Sequence, residues 1–132
     1  MDNPKEIRWR QRFLDFEKSL KHLEKALAIA TPDEVYQAGI IQFFEVSFEL
    51  AWKTMKDYLE AQGYKISSPR QTIQQAFQVK LITEGHTWIE ALEKRNMMAH
   101  TYDEARAKEA ENLIRLTYFN ILSGLYNTLK IE

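Results

Sequence analysis

The stretch between Pro32 and Gly63 constrains this chain more than any other, because over about thirty residues its apolar side chains recur at helical spacing. Ile41, Phe44, Phe48, Trp52, Met55 and Leu59 fall on one face, and Ile40, Phe43 and Leu50 widen it. The spacing therefore predicts one long, central helix. Thr31 is expected to cap it, Pro32 suits its first turn, Glu34 completes a T-x-x-E capping box, and Gly63 supplies the C-terminal stop.

The rest of the chain supplies helices to lay against it. A first helix is expected from near Pro4, with Phe13, Phe16, Leu20, Leu23 and Leu27 at alternating spacings of three and four, ending before Thr31-Pro32. Tyr64-Lys65-Ile66 is strand-like but too short to found a sheet. Ser68-Pro69-Arg70-Gln71 then opens a short third helix running through Ile73, Phe77 and Leu81. A fourth is expected from about Thr87 to Met98 through Trp88 and Leu92, with a break near His100, and Thr101 with Glu104 forms a capping box for the last helix. The second half of that helix is apolar on almost every side, from Leu113 and Ile114 to Leu125, Tyr126 and Leu129. A helix apolar all round must be buried, and in a chain this small a homodimer interface is the natural place. Four glycines and three prolines in 132 residues, with 45% hydrophobic and 28% charged residues, exclude disorder and a turn-rich β fold. The expectation is all-α: an antiparallel up-and-down bundle of four to five helices, as one domain over residues 1–132.

Composition also removes whole classes of chemistry. There is no cysteine, hence no disulfide, thiolate metal site or cysteine nucleophile. The charged N-terminus lacks the apolar core of a signal peptide. The longest uncharged run, Leu116 to Leu129, is shorter than the roughly twenty residues that span a bilayer, so a membrane segment is not expected and the cytoplasm is. Net charge is −1, too small for a whole-protein nucleic-acid field, and the positive excess is confined to residues 1–30 and 64–100. No Gly-rich phosphate loop, G-x-S-x-G, H-E-x-x-H or E-x-x-H is present. Nor is there a D-x-D pair, so the chain lacks the carboxylates of a two-metal nucleotidyltransferase.

What remains is Lys94-Arg95-Asn96-Met97-Met98-Ala99-His100-Thr101-Tyr102-Asp103. Asn96 and His100 are four apart and would share a helix face, so that the amide could orient the imidazole. Arg95 is a permanently charged planar fork suited to phosphate oxygens, and His100 can move protons near neutral pH. Together they could cleave RNA without a metal, His100 taking the ribose 2′-hydroxyl proton or protonating the leaving oxygen and Arg95 stabilising charge on the phosphate. Spacing alone favours a plainer reading, in which Arg95 and His100 meet a helix dipole and Tyr102 packs in the next turn. Elsewhere, Arg8-Trp9-Arg10-Gln11-Arg12 could touch RNA phosphates but reads better as a solvated first turn. Glu49 can pair with Lys53, and if partly buried it needs a further partner such as Arg95. His22 and His86 have no visible partner, and Trp52, Trp88 and the phenylalanines are expected in the core.

Several separate segments together resemble a known family. Ile41-Gln42-Phe43-Phe44-Glu45, Phe48 through Leu59, Ser68-Pro69-Arg70, and Arg95-Asn96 through His100-Thr101-Tyr102-Asp103-Glu104 are similar to the nucleotidyltransferase substrate-binding proteins, a branch of the HEPN superfamily. The resemblance runs over nearly the whole chain. It implies a helical bundle that dimerises and works with a separate minimal nucleotidyltransferase, which would supply the missing D-x-D chemistry and use ATP; no cofactor is implied for this chain itself. In the superfamily R-x(4-6)-H marks a ribonuclease site, matched here by Arg95, Asn96 and His100. In its toxin–antitoxin branch the pattern extends to R-x(4)-H-x-Y, matched by Tyr102, and adenylylation of that tyrosine by the partner silences the toxin. The alternative that the resemblance carries is a non-catalytic subunit that binds nucleotide or substrate for the transferase.

Overall fold

The computed structural model describes residues 3–95, 98 and 103–132. Within them the helices are α1 (Pro4–Leu27), α2 (Glu34–Ala61), α3 (Pro69–Gln78), α4 (Gly85–Lys94), α5 (Glu104–Leu113) and α6 (Phe119–Lys130), with a π-helical turn at Ile114–Tyr118 joining α5 to α6. No strand occurs among the described residues, and Tyr64-Lys65-Ile66 is irregular. The long elements form an up-and-down helical bundle, α1 lying along α2 and α6 returning against both.

Short polar side chains set most of the starts. Asn3 accepts from the Lys5 amide, with Pro4 in the first turn of α1. Asp33, not the expected Thr31, caps α2 by accepting from the Tyr36 amide at 2.9 Å. Its carboxylate stands directly ahead of the first helical residue, and Pro32 and Thr31 are left outside the helix. Ser68 caps α3 as expected, while Gln71 reaches back one residue further than in a capping box, to the Ser67 amide at 3.0 Å. Asp103 caps α5, accepting from Ala105 and Arg106. Thr101, the cap expected there, lies outside the described residues. Gly63 ends α2 at φ 100°, a region costly for residues with a Cβ.

The core is a column of Phe16, Leu20 and Leu23 from α1, Ile40, Ile41, Phe44, Phe48, Met55 and Leu59 from α2, and Ile114, Tyr118, Leu122 and Leu125 from the last helical run. Three expectations need correction. Trp9 is buried, its indole donating to Glu6 at 2.8 Å and its ring edge-on to Tyr58, so it offers no face to a base. Arg12 beside it pairs with the buried Asp57 at 2.7 Å, so Trp9 and Arg12 are packed against the bundle, while Arg8, Arg10 and Gln11 are exposed as expected of a solvated turn. Phe77 is exposed and Leu81 lies beyond the end of α3, because α3 stops at Gln78 and Lys80 takes a positive φ. Trp52 is only half-buried and serves a polar cluster described below.

The last helical run buries most of its apolar surface within the chain: Ile114, Tyr118, Ile121, Leu122, Leu125 and Leu129 are all covered, and Leu116 stays exposed. An intermolecular interface is thus not required to cover this helix. Exposed apolar side chains also occur on α1 and α2, where Phe43 and Val46 stand beside His22, whose ring stacks on Phe43. At the π-helical turn, Arg115 donates to the carbonyls of Leu27 at 2.6 Å and Ile29 at 3.1 Å, and to the fully buried Glu111. The turn thus locks the α1–α2 connection to the last helix. No helix among the described residues is long and apolar enough to cross a membrane.

Candidate functional site

Two elements bring the described part of the site together. α4 is pinned to the core by buried Trp88 and Ala91, with the Trp88 ring 5.7 Å from that of Phe48 on α2. It is tied to the last helix by the Tyr118 hydroxyl, which donates to Glu90 at 2.7 Å. Burial and the Glu90 carboxylate push the Tyr118 phenol well above its ordinary value, so it remains a hydrogen-bond donor at physiological pH. α4 thereby delivers Arg95, its C-cap residue, whose amide donates to Ala91 at 3.0 Å.

The Arg95 guanidinium turns towards α2, where Nη1 donates to Oε2 of Glu49 at 3.3 Å. The same oxygen accepts from the Trp52 indole at 2.9 Å, and Oε1 faces the Lys53 ammonium at 3.3 Å. Glu49 is therefore a shared acceptor for an indole and two cations. Burial acts to raise its carboxyl, but the Trp52 and Lys53 hydrogen bonds and the charges of Lys53 and Arg95 outweigh it and hold Glu49 below the usual carboxylate value. One turn earlier, burial raises Glu45. The Arg95 side chain is 34% exposed and that of Lys53 40%, so both cations remain within reach of a ligand in solvent.

Of the four residues expected to form the site, the structure places Arg95. Asn96, His100 and Tyr102 lie outside the described residues. Between Asn96 and His100, Met98 is buried, and after Tyr102, Asp103 caps α5. The expected Glu49–Arg95 and Glu49–Lys53 pairs are present. Trp52, expected in the core, is half-buried and donates to this cluster, since helical period puts it on the apolar face without saying how far the covering helices extend. His86 is exposed. Among the described residues no group of three or more His, Asp or Glu side chains could hold a metal ion.

A family model described as "Nucleotidyltransferase substrate binding protein like" matches residues 11–131, nearly the full length. The chain belongs to this family. As a nucleotidyltransferase substrate-binding-like protein it has similar folds among solved structures. A protein of Thermus thermophilus is 28% identical with a TM-score of 0.81, the match covering 87% of this chain and 98% of that one. A protein of Haemophilus influenzae, described as revealing the fold of a substrate binding domain of a nucleotidyltransferase, is 22% identical with a TM-score of 0.65, covering 92% and 96%. At that identity the likeness is one of fold. No curated protein matches the sequence significantly. The family match spans α2 and the segment after α4, so Glu49, Trp52, Lys53 and Arg95 all lie within it.

Proposed function

We propose that this chain is the helical partner of a separate minimal nucleotidyltransferase, and that Arg95, Asn96, His100 and Tyr102 form a metal-independent ribonuclease site on it, making it the toxin half of a toxin–antitoxin pair. The observation that carries this reading is the presentation of Arg95. Its charge is held at the end of α4 by Glu49, partly exposed, five residues ahead of the only histidine near it in sequence. In the proposed reaction His100 accepts the proton of a ribose 2′-hydroxyl, the 2′-oxygen attacks the phosphorus, and the bond to the 5′-oxygen breaks. The products are a 2′,3′-cyclic phosphate and a 5′-hydroxyl, which takes up a proton. Arg95 stabilises the extra negative charge on the phosphate, and the Asn96 amide orients the imidazole.

Tyr102 is the proposed point of control. The partner transfers AMP from ATP to the phenol oxygen, releasing pyrophosphate, and places an anionic phosphodiester two residues from His100. A second reading, a subunit that binds substrate for the transferase and performs no chemistry, is supported in its binding role by the substrate-binding family to which the chain belongs and by the substrate binding domain whose fold it shares. Both readings put the chain in a complex with the transferase, as two chains working together and as a homodimer of the helical one.

RNA cleavage in excess EDTA by the wild-type protein beside His100→Ala and Arg95→Ala, each checked for helicity by circular dichroism, tests the first reading. Cleavage by the wild type alone is the expected result. Equal cleavage by all three would refute the assigned roles. Silence from all three, with an intact mass showing an unmodified chain, would favour the substrate-binding reading.

A further inference from the structure

The motif that singles out Arg95 ends at Tyr102, yet the structure ties Arg95 to a part of the chain forty-six residues earlier. There α2 presents Trp52 and Lys53 around the same carboxylate. Resting on the reading that Arg95 engages RNA phosphate, we propose that the phosphate-binding surface continues onto α2, with Lys53 as a second cation for an adjacent phosphate of the strand and Glu49 as the positioning residue that holds both.

The geometry gives each group a separate part. Trp52 donates its indole N–H to Oε2 of Glu49 and fixes the rotation of the carboxylate. Oε2 then receives Arg95 and Oε1 receives Lys53, so the two cations are spaced by the width of one carboxylate. Among the described residues Arg95 spends only Nη1 on this contact, and an arginine carries five N–H donors. One carboxylate between two cations leaves a net positive charge, and an ordered pair of cations loses less entropy on meeting a phosphodiester backbone than two free side chains do. Two cations one carboxylate apart suit two neighbouring phosphates, and the reading that Arg95 engages RNA makes these consecutive phosphates of a strand. Lys53 also lies 5.9 Å from the Trp52 ring centre, which restricts its swing.

The sign of the Glu49 effect separates positioning from charge. Removing a carboxylate beside an anion site must tighten binding if charge alone matters. Positioning requires the opposite. The test is the affinity of a 2′-O-methyl oligoribonucleotide, which cannot be cleaved through the 2′-oxygen, for the full chain in EDTA at several salt concentrations. Wild type is compared with Arg95→Ala, Lys53→Ala, Glu49→Ala and Glu49→Gln, the last keeping an acceptor for Trp52 and so preserving the local fold. Lys53→Ala is expected to weaken binding and to lower the salt slope by about one. Both Glu49 variants are expected to weaken it by about three- to fivefold, and combining Glu49→Ala with Arg95→Ala and Lys53→Ala should add nothing to the loss from the two cations alone. Unchanged or tighter binding by the Glu49 variants, or an unchanged salt slope for Lys53→Ala, while Arg95→Ala still weakens binding, would overturn this proposal and leave the role of Arg95 standing. Unchanged binding by Arg95→Ala would remove the reading on which it rests.

Discussion

Arg115→Ala should be the most damaging single change outside the apolar core. Its guanidinium closes the C-terminal end of α1 through the Leu27 and Ile29 carbonyls and compensates Glu111, whose side chain is 1% exposed. Removing one member of a buried pair strands the other and costs about 3–5 kcal/mol. Here Gln37 still donates to Glu111 at 2.9 Å and Lys108 stays within 3.5 Å, which argues for the lower end, about 3 kcal/mol. With an unfolding entropy of about 2.1 cal/mol/K per residue, the 132-residue chain unfolds with roughly 280 cal/mol/K, so the melting midpoint should fall by about 11 °C. Thermal unfolding followed by far-UV circular dichroism measures it directly. Acid adds an independent check. Burial opposes ionisation of Glu111, but Gln37, Lys108 and Arg115 together hold its folded value below the ordinary 4.5. A lowered carboxylate stabilises the fold above its unfolded pKa, and that contribution is lost as pH falls through the folded value. The stability gap between wild type and Glu111→Gln should therefore be widest near neutrality and close below pH 4.5. A fall of less than about 4 °C for Arg115→Ala, or a gap that widens in acid, would refute the assignment of this cluster as the lock between α1 and the last helix.

Other consequences follow from named contacts. Ser19 and Ser47 share a buried hydroxyl pair at 2.6 Å, so either Ser→Ala change alone should cost about 1–2 kcal/mol and the double change less than their sum, by denaturant unfolding of the four proteins. Tyr118→Phe deletes one hydrogen bond to the half-exposed Glu90, with an expected loss of about 1 kcal/mol, about 4 °C in the melting midpoint. Gly63→Ala forces a Cβ onto a backbone at φ 100° and should cost about 1–2 kcal/mol, although nothing lies within 4 Å of the added atom; a neutral outcome would mean that the α2 end relaxes into another conformation.

The helices and their order were legible because amphipathic period is a local signal. Phe16, Leu20 and Leu23, or Ile41, Phe44 and Phe48, can face a core in only one way once the backbone is helical. Caps were legible to within a residue or two: any of several short polar side chains near a start can supply the acceptor, and backbone geometry chose Asp33 over Thr31. Of the site, Arg95 was visible as part of a spaced motif, and Glu49 as a charge on an apolar helix in need of a partner.

By itself, then, the sequence determined an all-helical bundle, the absence of cysteine, and the family. Only the tertiary structure decided which charges meet: Arg95 with Glu49, Arg12 with Asp57, and Arg115 with the end of α1. It also decided that Trp9 is covered while Trp52 lends its indole to a polar cluster. Period fixes the side of a helix that turns inward. How far along that side the cover extends, and which distant charge is waiting there, depends on where other helices end, and no local pattern records that.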